Sequence, residues 1–335
     1  MSVKALTLLA VLAELKALTA DPATKTSPTI RPILWQDPTN ISSRNLFYGP
    51  GGKEHQPHGS FVFQEEDLNG TNPKIIVRDE EGSKWTVKLG SEASPETAAS
   101  RLVWAVGYFA NEDYFVSSLQ VSGMPRRLRR GQKLIAPVGS LPRVRLKRHL
   151  EGEKRIGNWR WLENDLSGTR ELNGLRALMA LLNNWDLTDE NNGVYCIGRG
   201  QAPGVPGCIY MVTDLGSTFG SGGLTWPLRN ARGNLRTYRR SKFIMHTGPD
   251  DVDFHTPARI SLFFLATPHE YFSKLKLRWI GRSVPRDDVR WLGQLLAQLS
   301  PEQIRDAFRS AGYSPQEVEG FAVVLQGRIA ELEDL

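Results

Sequence analysis

Cysteine is almost missing: the chain has two among 335 residues. Two thiols exclude a disulfide-stapled scaffold and a four-thiolate zinc site. Histidine is scarce too. His55, His58, His149, His246, His255 and His269 show no ligand spacing such as H-E-x-x-H, so no transition-metal site is expected. After the N-terminus no apolar run approaches the 18 or more residues that a membrane helix needs. Internal repeats and long low-complexity tracts are lacking. So is a strong excess of one charge: 42 Lys and Arg against 36 Asp and Glu leave +6. That suits an anionic ligand such as a phosphate. It falls short of a dedicated nucleic-acid binder, and no specific nucleic-acid partner is expected.

What remains is a globular composition, 40% hydrophobic and 23% charged, which excludes wholesale disorder. A chain this long buries a core without staples, as one large or two closely packed domains.

Met1–Lys4 carries one positive charge, and Ala5–Ala13 is an unbroken apolar run that Glu14 and Lys16 end. Residues 1–20 therefore read as a secretory signal, which favours a periplasmic or secreted protein, or as an amphipathic N-terminal helix. Residues 21–44, rich in Pro, Thr and Ser, read as a linker. Phe61–Phe63, Lys74–Val77 and the alternating Lys84–Leu89 are separated by Asn69-Gly70 and Asp79-Glu80-Glu81-Gly82, the pattern of antiparallel strands. Pro95 opens a helix, with Ser94 as N-cap and Glu96–Val106 as body. Residues 45–120 thus form a small β-rich lobe.

Leu172, Leu175, Leu178, Met179 and Leu182 recur at three and four and predict a helix over 169–182. Val194–Ile197 and Ile209–Val212 flank a Gly/Pro-rich turn, Gly198–Gly207, and predict a hairpin. In a symmetric hairpin Cys196 and Cys208 face each other. They are either a cross-strand disulfide, fitting an exported protein, or two reduced core thiols. Ser261–Leu265 is too short to classify. Ser300-Pro301-Glu302-Gln303 and Ser314-Pro315-Gln316-Glu317 are helix starts. Residues 121–284 thus read as a helical lobe and 285–335 as a C-terminal helical extension. Arg126–Arg130 and Arg143–Arg148 are basic clusters, read as solvated faces. The alternative is a surface for an anionic acceptor or a membrane. Trp159 and Trp161 read as anchors between lobes.

Four features then fall in one order. Lys88 ends an alternating strand, and Glu96 lies in the first turn of the next helix. Asp186 and Asn191, five apart, follow a long helix, and Asp214-Leu215-Gly216 closes the hairpin. Phosphoryl transfer uses each of these types. A lysine neutralises nucleotide phosphates and a helix glutamate holds it. A carboxylate handles the acceptor, and Asn and Asp oxygens coordinate Mg²⁺.

This order resembles protein-kinase-like folds, closest to the atypical branches: phosphoinositide 3/4-kinases, HipA-type bacterial kinases and secretory-pathway kinases. Asn184-Trp185-Asp186-Leu187-Thr188-Asp189-Glu190-Asn191 is similar to their D-R-H-x-x-N stretch. Tyr210-Met211-Val212-Thr213-Asp214-Leu215-Gly216 is similar to the strand that leads into D-F-G. The resemblance covers about residues 60–270. It implies an α+β fold of two lobes, the smaller β-rich and the larger helical, with ATP and Mg²⁺ between them. It also implies that Lys88 meets the phosphates, Glu96 holds Lys88, Asp186 is the catalytic carboxylate, and Asn191 and Asp214 bind magnesium. Glu92 rivals Glu96, and Asn192 rivals Asn191. Leu187 and Thr188 replace Arg and His. No G-x-G-x-x-G hairpin precedes Lys88, and the glycine-rich Tyr48–Lys53 lies too far upstream to serve as one. The expected activity is ATP/Mg²⁺-dependent phosphoryl transfer to an unknown acceptor. Nucleotidyl transfer, a pseudokinase that binds without transfer, and an exported structural or adaptor protein are the alternatives.

Overall fold

The first strands follow their alternation. β1 (Phe61–Asp67), β2 (Lys74–Asp79) and β3 (Lys84–Lys88) form an antiparallel meander. β4 (Asp113–Leu119), β5 (Val121–Ser122) and β6 (Leu141–Arg148) complete a six-stranded sheet of order β4-β6-β3-β2-β1-β5. This computed structural model describes residues 32–137, 139–196, 207–220, 231–257 and 275–335. The N-terminal segment, Ser261–Leu265, His269 and most of the Gly198–Gly207 turn lie outside the described residues. Residues 32–335 form one compact unit, distinct from residues 1–31.

β6 inserts between β3 and β4, so the sheet continues past residue 120, beyond the expected 45–120 lobe. Register divides the sheet into unlike faces. Ile75, Val77, Trp85, Val87, Tyr114, Val144 and Leu146 share one face and form an apolar core. The opposite face carries Lys88 across from Arg145, and Lys147 across from Asp113.

The helix α1 (Ala93–Ala105) packs on that charged face. It starts at Ala93 with Glu92 as N-cap, two residues before the expected Ser94 cap. Glu92 makes no capping hydrogen bond because its carboxylate is engaged elsewhere, as described below. Ser94 lies inside the helix and accepts from Arg143 at 2.9 Å.

Residues 32–44, read as linker from composition, are fixed to the body. Ile33 bridges Ile209, Trp35 Nε1 donates to the Val106 carbonyl at 2.7 Å, and Leu34 and Ile41 are buried. Four large apolar side chains, Ile33, Leu34, Trp35 and Ile41, anchor the segment despite its polar and Pro content.

β7 (Lys154–Gly157) leads to α2 (Arg170–Leu181), capped by Thr169. β8 (Asn192–Cys196) and β9 (Cys208–Val212) form the expected hairpin with Cys196 directly opposite Cys208, and the two are disulfide-bonded. α3 (Leu235–Arg240), β10 (Ile244–Thr247), β11 (Asp251–Phe254) and β12 (Val284–Pro285) follow. α4 (Arg286–Leu296), α5 (Pro301–Arg309) and α6 (Pro315–Glu333) end the chain. Ser300 with Gln303 and Ser314 with Glu317 both close capping boxes, with Pro at the first turn.

The last three helices pack into the main core. Phe308 stacks on Phe321 with ring centroids 4.8 Å apart, and Phe219 meets both. Buried Arg328 donates to the carbonyls of Leu181 and Tyr238, each at 3.0 Å. The class is the expected one, α+β with a β-rich lobe followed by a helical lobe.

Candidate active site

β3 ends at Lys88, and the chain turns through Gly90, whose φ is 97°, straight into α1. That turn brings Glu92, the N-cap, and Glu96, in the first turn of the helix, under the Lys88 side chain. Lys88 Nζ lies 2.9 Å from Glu92 Oε2, 2.9 Å from Glu96 Oε2 and 3.2 Å from Asp214 Oδ1. The two candidate glutamates are thus both partners. Glu92, the rival of Glu96 in the sequence, contacts Lys88 as closely as Glu96 does.

Around this centre stands a shell that motif spacing did not reveal. Arg145 donates to Glu96 Oε1 at 2.7 Å and lies 3.3 Å from Asp113 Oδ1. Arg232 lies 2.9 Å from Glu92 Oε1, and Asn72 Nδ2 donates to Glu92 Oε2 at 2.6 Å. Arg143–Arg148 is therefore a solvated face only in part, through exposed Arg143. It is strand β6, with Arg145 buried at its centre between buried Val144 and Leu146. The alternation around Arg145 was the available signal, masked by the run of cations. Arg126, Arg127 and Arg129 are exposed as expected.

The charges nearly cancel. Lys88, Arg145 and Arg232 face Glu92, Glu96, Asp214 and Asp113. Burial alone would lower the Lys88 ammonium; Glu96, Asp214 and Glu92 together reverse this and raise it. Burial raises the Asp113 carboxyl, and Glu96 adds to the rise against Arg145. A proton on Asp113 would leave three cations against three carboxylates. Asp214 shows the opposite balance: burial works to raise it, but Lys88 and the Gly216 amide hold it lowered.

Asp214 is one-third exposed at its side chain, while Lys88, Glu92 and Glu96 are all but sealed. Its contacts to Lys88 and to the Gly216 N–H, the latter at 3.1 Å, both use Oδ1. Oδ2 takes part in neither of these contacts. Glycine at 216 is required by space: a Cβ would fall 2.7 Å from Glu92 Oε2.

The loop that carries Asp186 is stitched to the segment that carries Asp214. Trp185 N donates to Ser217 O at 3.2 Å, and Phe219 N to Leu182 O at 2.9 Å. Asn191 Nδ2 donates to Asp186 O at 2.8 Å, and Thr213 N donates to Asn191 O at 2.8 Å. Asn191 therefore adjoins the residue before Asp214, with its side-chain oxygen outside these bonds. Asn192 is fully buried and donates to Trp159 O at 3.1 Å, which turns it into the core. Asn191 is the member of the pair that borders the site.

These donors suit a hard divalent cation. Glu92, Glu96 and Asp214 offer oxygens within 4.8 Å of one another. Lys88 already sits among all three, and Asp214 is the one of them whose side chain is exposed.

The glycine-rich Tyr48–Lys53 takes another role. Gly49 and Gly52 have φ of 74° and 65°. Tyr114 Oη donates to Gly52 O at 2.9 Å, and Gly49 lies against the Arg101 side chain. None of these partners belongs to the Lys88 cluster, so the turn packs rather than cradles. The β1–β2 turn, which holds Asn72, is the one that reaches the site. Trp159 and Trp161 are buried with ring centroids 4.8 Å apart, and Trp159 Nε1 donates to Met211 O at 3.2 Å.

No family model matches the chain, and no curated protein does. Among solved structures it is similar to the Helicobacter pylori proinflammatory kinase CtkA, at 12% identity and a TM-score of 0.44. That match covers 83% of this chain and 98% of the other.

Proposed function

We propose that the chain is an ATP- and Mg²⁺-dependent phosphotransferase of the atypical kinase type. One observation carries this reading. A buried strand lysine is held at once by a glutamate of the next helix and by the aspartate of Asp-Leu-Gly, 126 residues further on. Burying an ammonium among three carboxylates is costly unless each is paired. A purely structural pair needs neither the half-open Asp214 nor the adjoining Asn191. Phosphoryl transfer needs both.

Each residue then has a task. Lys88, kept protonated by its carboxylates, neutralises nucleotide phosphates. Glu92 and Glu96 fix its position, and Arg145 fixes Glu96. Asp214 Oδ2 and the Asn191 side-chain oxygen would hold magnesium, which when bound supplies charge neutralisation at the phosphates. Asp186 orients the acceptor hydroxyl and accepts its proton. The acceptor oxygen forms a bond to the γ-phosphorus as the bond to the β–γ bridging oxygen breaks, and ADP leaves. The acceptor itself is unassigned. A binding module without transfer is the second reading. It is favoured by Leu187, which replaces a basic residue and is buried in the core.

The test is ATP turnover with and without Mg²⁺ in wild type, Lys88→Met and Asp214→Asn. The expected result is Mg²⁺-dependent release of ADP that falls by about 100-fold or more in each folded variant, the scale of lost phosphate or metal positioning. Nucleotide binding without ADP release in wild type would favour the binding module. Unchanged turnover in both variants would remove these residues from the site.

A further inference from the structure

Arg232 lies outside every motif discussed so far. The chain at 231–234 is pinned beside the Asp-Leu-Gly segment: Gly233 N donates to Thr218 O at 2.9 Å, and Asn234 N to Phe219 O at 2.7 Å. Arg232 is thereby carried to the Lys88 cluster, where one terminal nitrogen reaches Glu92 Oε1. The other Glu92 oxygen is on Lys88, so a single carboxylate separates the two cations.

Part of the guanidinium is unspent. Arg232 Nε is buried and has no hydrogen-bond partner among the described residues. A buried donor left unmade costs free energy that folding normally avoids. Clamping Glu92 does not explain it. Lys88 and Asn72 already hold that carboxylate, and a clamp uses only the terminal nitrogen. A guanidinium is instead suited to grip a carboxylate on one edge and a phosphate on the other. Charge agrees. Lys88, Arg145 and Arg232 face four carboxylates, Glu92, Glu96, Asp214 and Asp113, one charge short of balance. A divalent cation joining Asp214 makes the site net positive and in want of an anion.

On this basis, and resting on the nucleotide reading above, we propose that Arg232 binds the terminal phosphate of the nucleoside triphosphate. Lys88 then serves the inner phosphates, and Glu92 is the shared spacer that sets both cations. Arg232 makes the site read the number of phosphates: it favours the triphosphate before transfer and releases the diphosphate after it.

Calorimetric titration with Mg²⁺·ATP and Mg²⁺·ADP tests this in the full chain and three variants. Wild type is expected to bind ATP more tightly than ADP. Arg232→Gln should lose about tenfold or more for ATP, the scale of one charge-assisted hydrogen bond, and about twofold or less for ADP. Arg232→Lys, which keeps the charge, should fall between. Asn72→Ala, which removes a different Glu92 contact, should weaken both nucleotides alike. Equal losses for ATP and ADP in Arg232→Gln would overturn the proposal and leave Arg232 as a Glu92 clamp. If Arg232→Gln melts too low to titrate, Arg232→Lys carries the same comparison. Failure of folded wild type to bind either nucleotide would overturn the nucleotide reading, and this assignment with it.

Discussion

At the scale of residues, burial and charge decide what each group does. Lys88 is tolerable in the interior only because three carboxylates face it, and Glu96 only because Arg145 shares it. His149 shows the same physics with only the weak pull of Asp67 to help. Burial first, then Lys147, Lys84 and Arg145, push its imidazole down to about 4, and Thr86 Oγ1 lies 2.7 Å from Nε2. In the unfolded chain this histidine takes a proton near 6.5, while in the folded chain it resists until about 4. Between those values the unfolded state binds more protons, so stability falls as pH falls. Its contribution is intact above 6.5 and lost on the way to 4. Denaturant unfolding from pH 7 to 4.5 should therefore show a shallower loss in His149→Gln than in wild type. Identical slopes would mean that His149 stays accessible to protons in the fold.

At the scale of elements, local signatures were legible and long-range partners were not. The alternation ending at Lys88, the hairpin leading to Asp214 and the two Ser-Pro helix starts are written within a few residues each, and they stand where the sequence puts them. Arg145, Arg232 and Asn72 were not legible. Arg145 depends on β6 inserting between β3 and β4, and Arg232 on backbone bonds to Thr218 and Phe219. Neither relation has a sequence spacing. The start of α1 shifted for a related reason: the Glu92 carboxylate is taken by Lys88, so the helix begins without a side-chain cap. The β8–β9 hairpin carries Asn191 before its first strand and Thr213-Asp214 after its second, with the disulfide across its far end. Closing a 12-residue separation should stabilise the fold by about 3 kcal/mol through the unfolded chain. The Cys196→Ser/Cys208→Ser double variant should unfold at correspondingly lower denaturant. A loss below about 1 kcal/mol would mean that strand pairing alone holds the hairpin.

At the scale of the whole molecule, residues 32–335 share one main apolar core, which runs from α1 through α2 to α4, α5 and α6. The final helices could be read as an extension because their amphipathic pattern does not say which face of which partner they cover. The structure answers this with Phe308, Phe321 and Arg328, which lock α5 and α6 onto the segment after Asp214 and onto the end of α2. The charged face of the sheet sits between this core and the small lobe's own apolar core, so the Lys88 cluster is where β3, α1 and the Asp-Leu-Gly segment converge.

The most direct measurement is the melting temperature of the full chain titrated with ATP, with and without Mg²⁺, for wild type and Asp214→Ala. A ligand that binds only the folded state at about 100 times its Kd adds about 2.7 kcal/mol, which is readily seen as a rise in Tm. The account predicts a Mg²⁺-dependent rise in wild type that Asp214→Ala loses while remaining folded. A folded wild type that does not respond to ATP with Mg²⁺, or an Asp214→Ala variant that responds as wild type does, would contradict it.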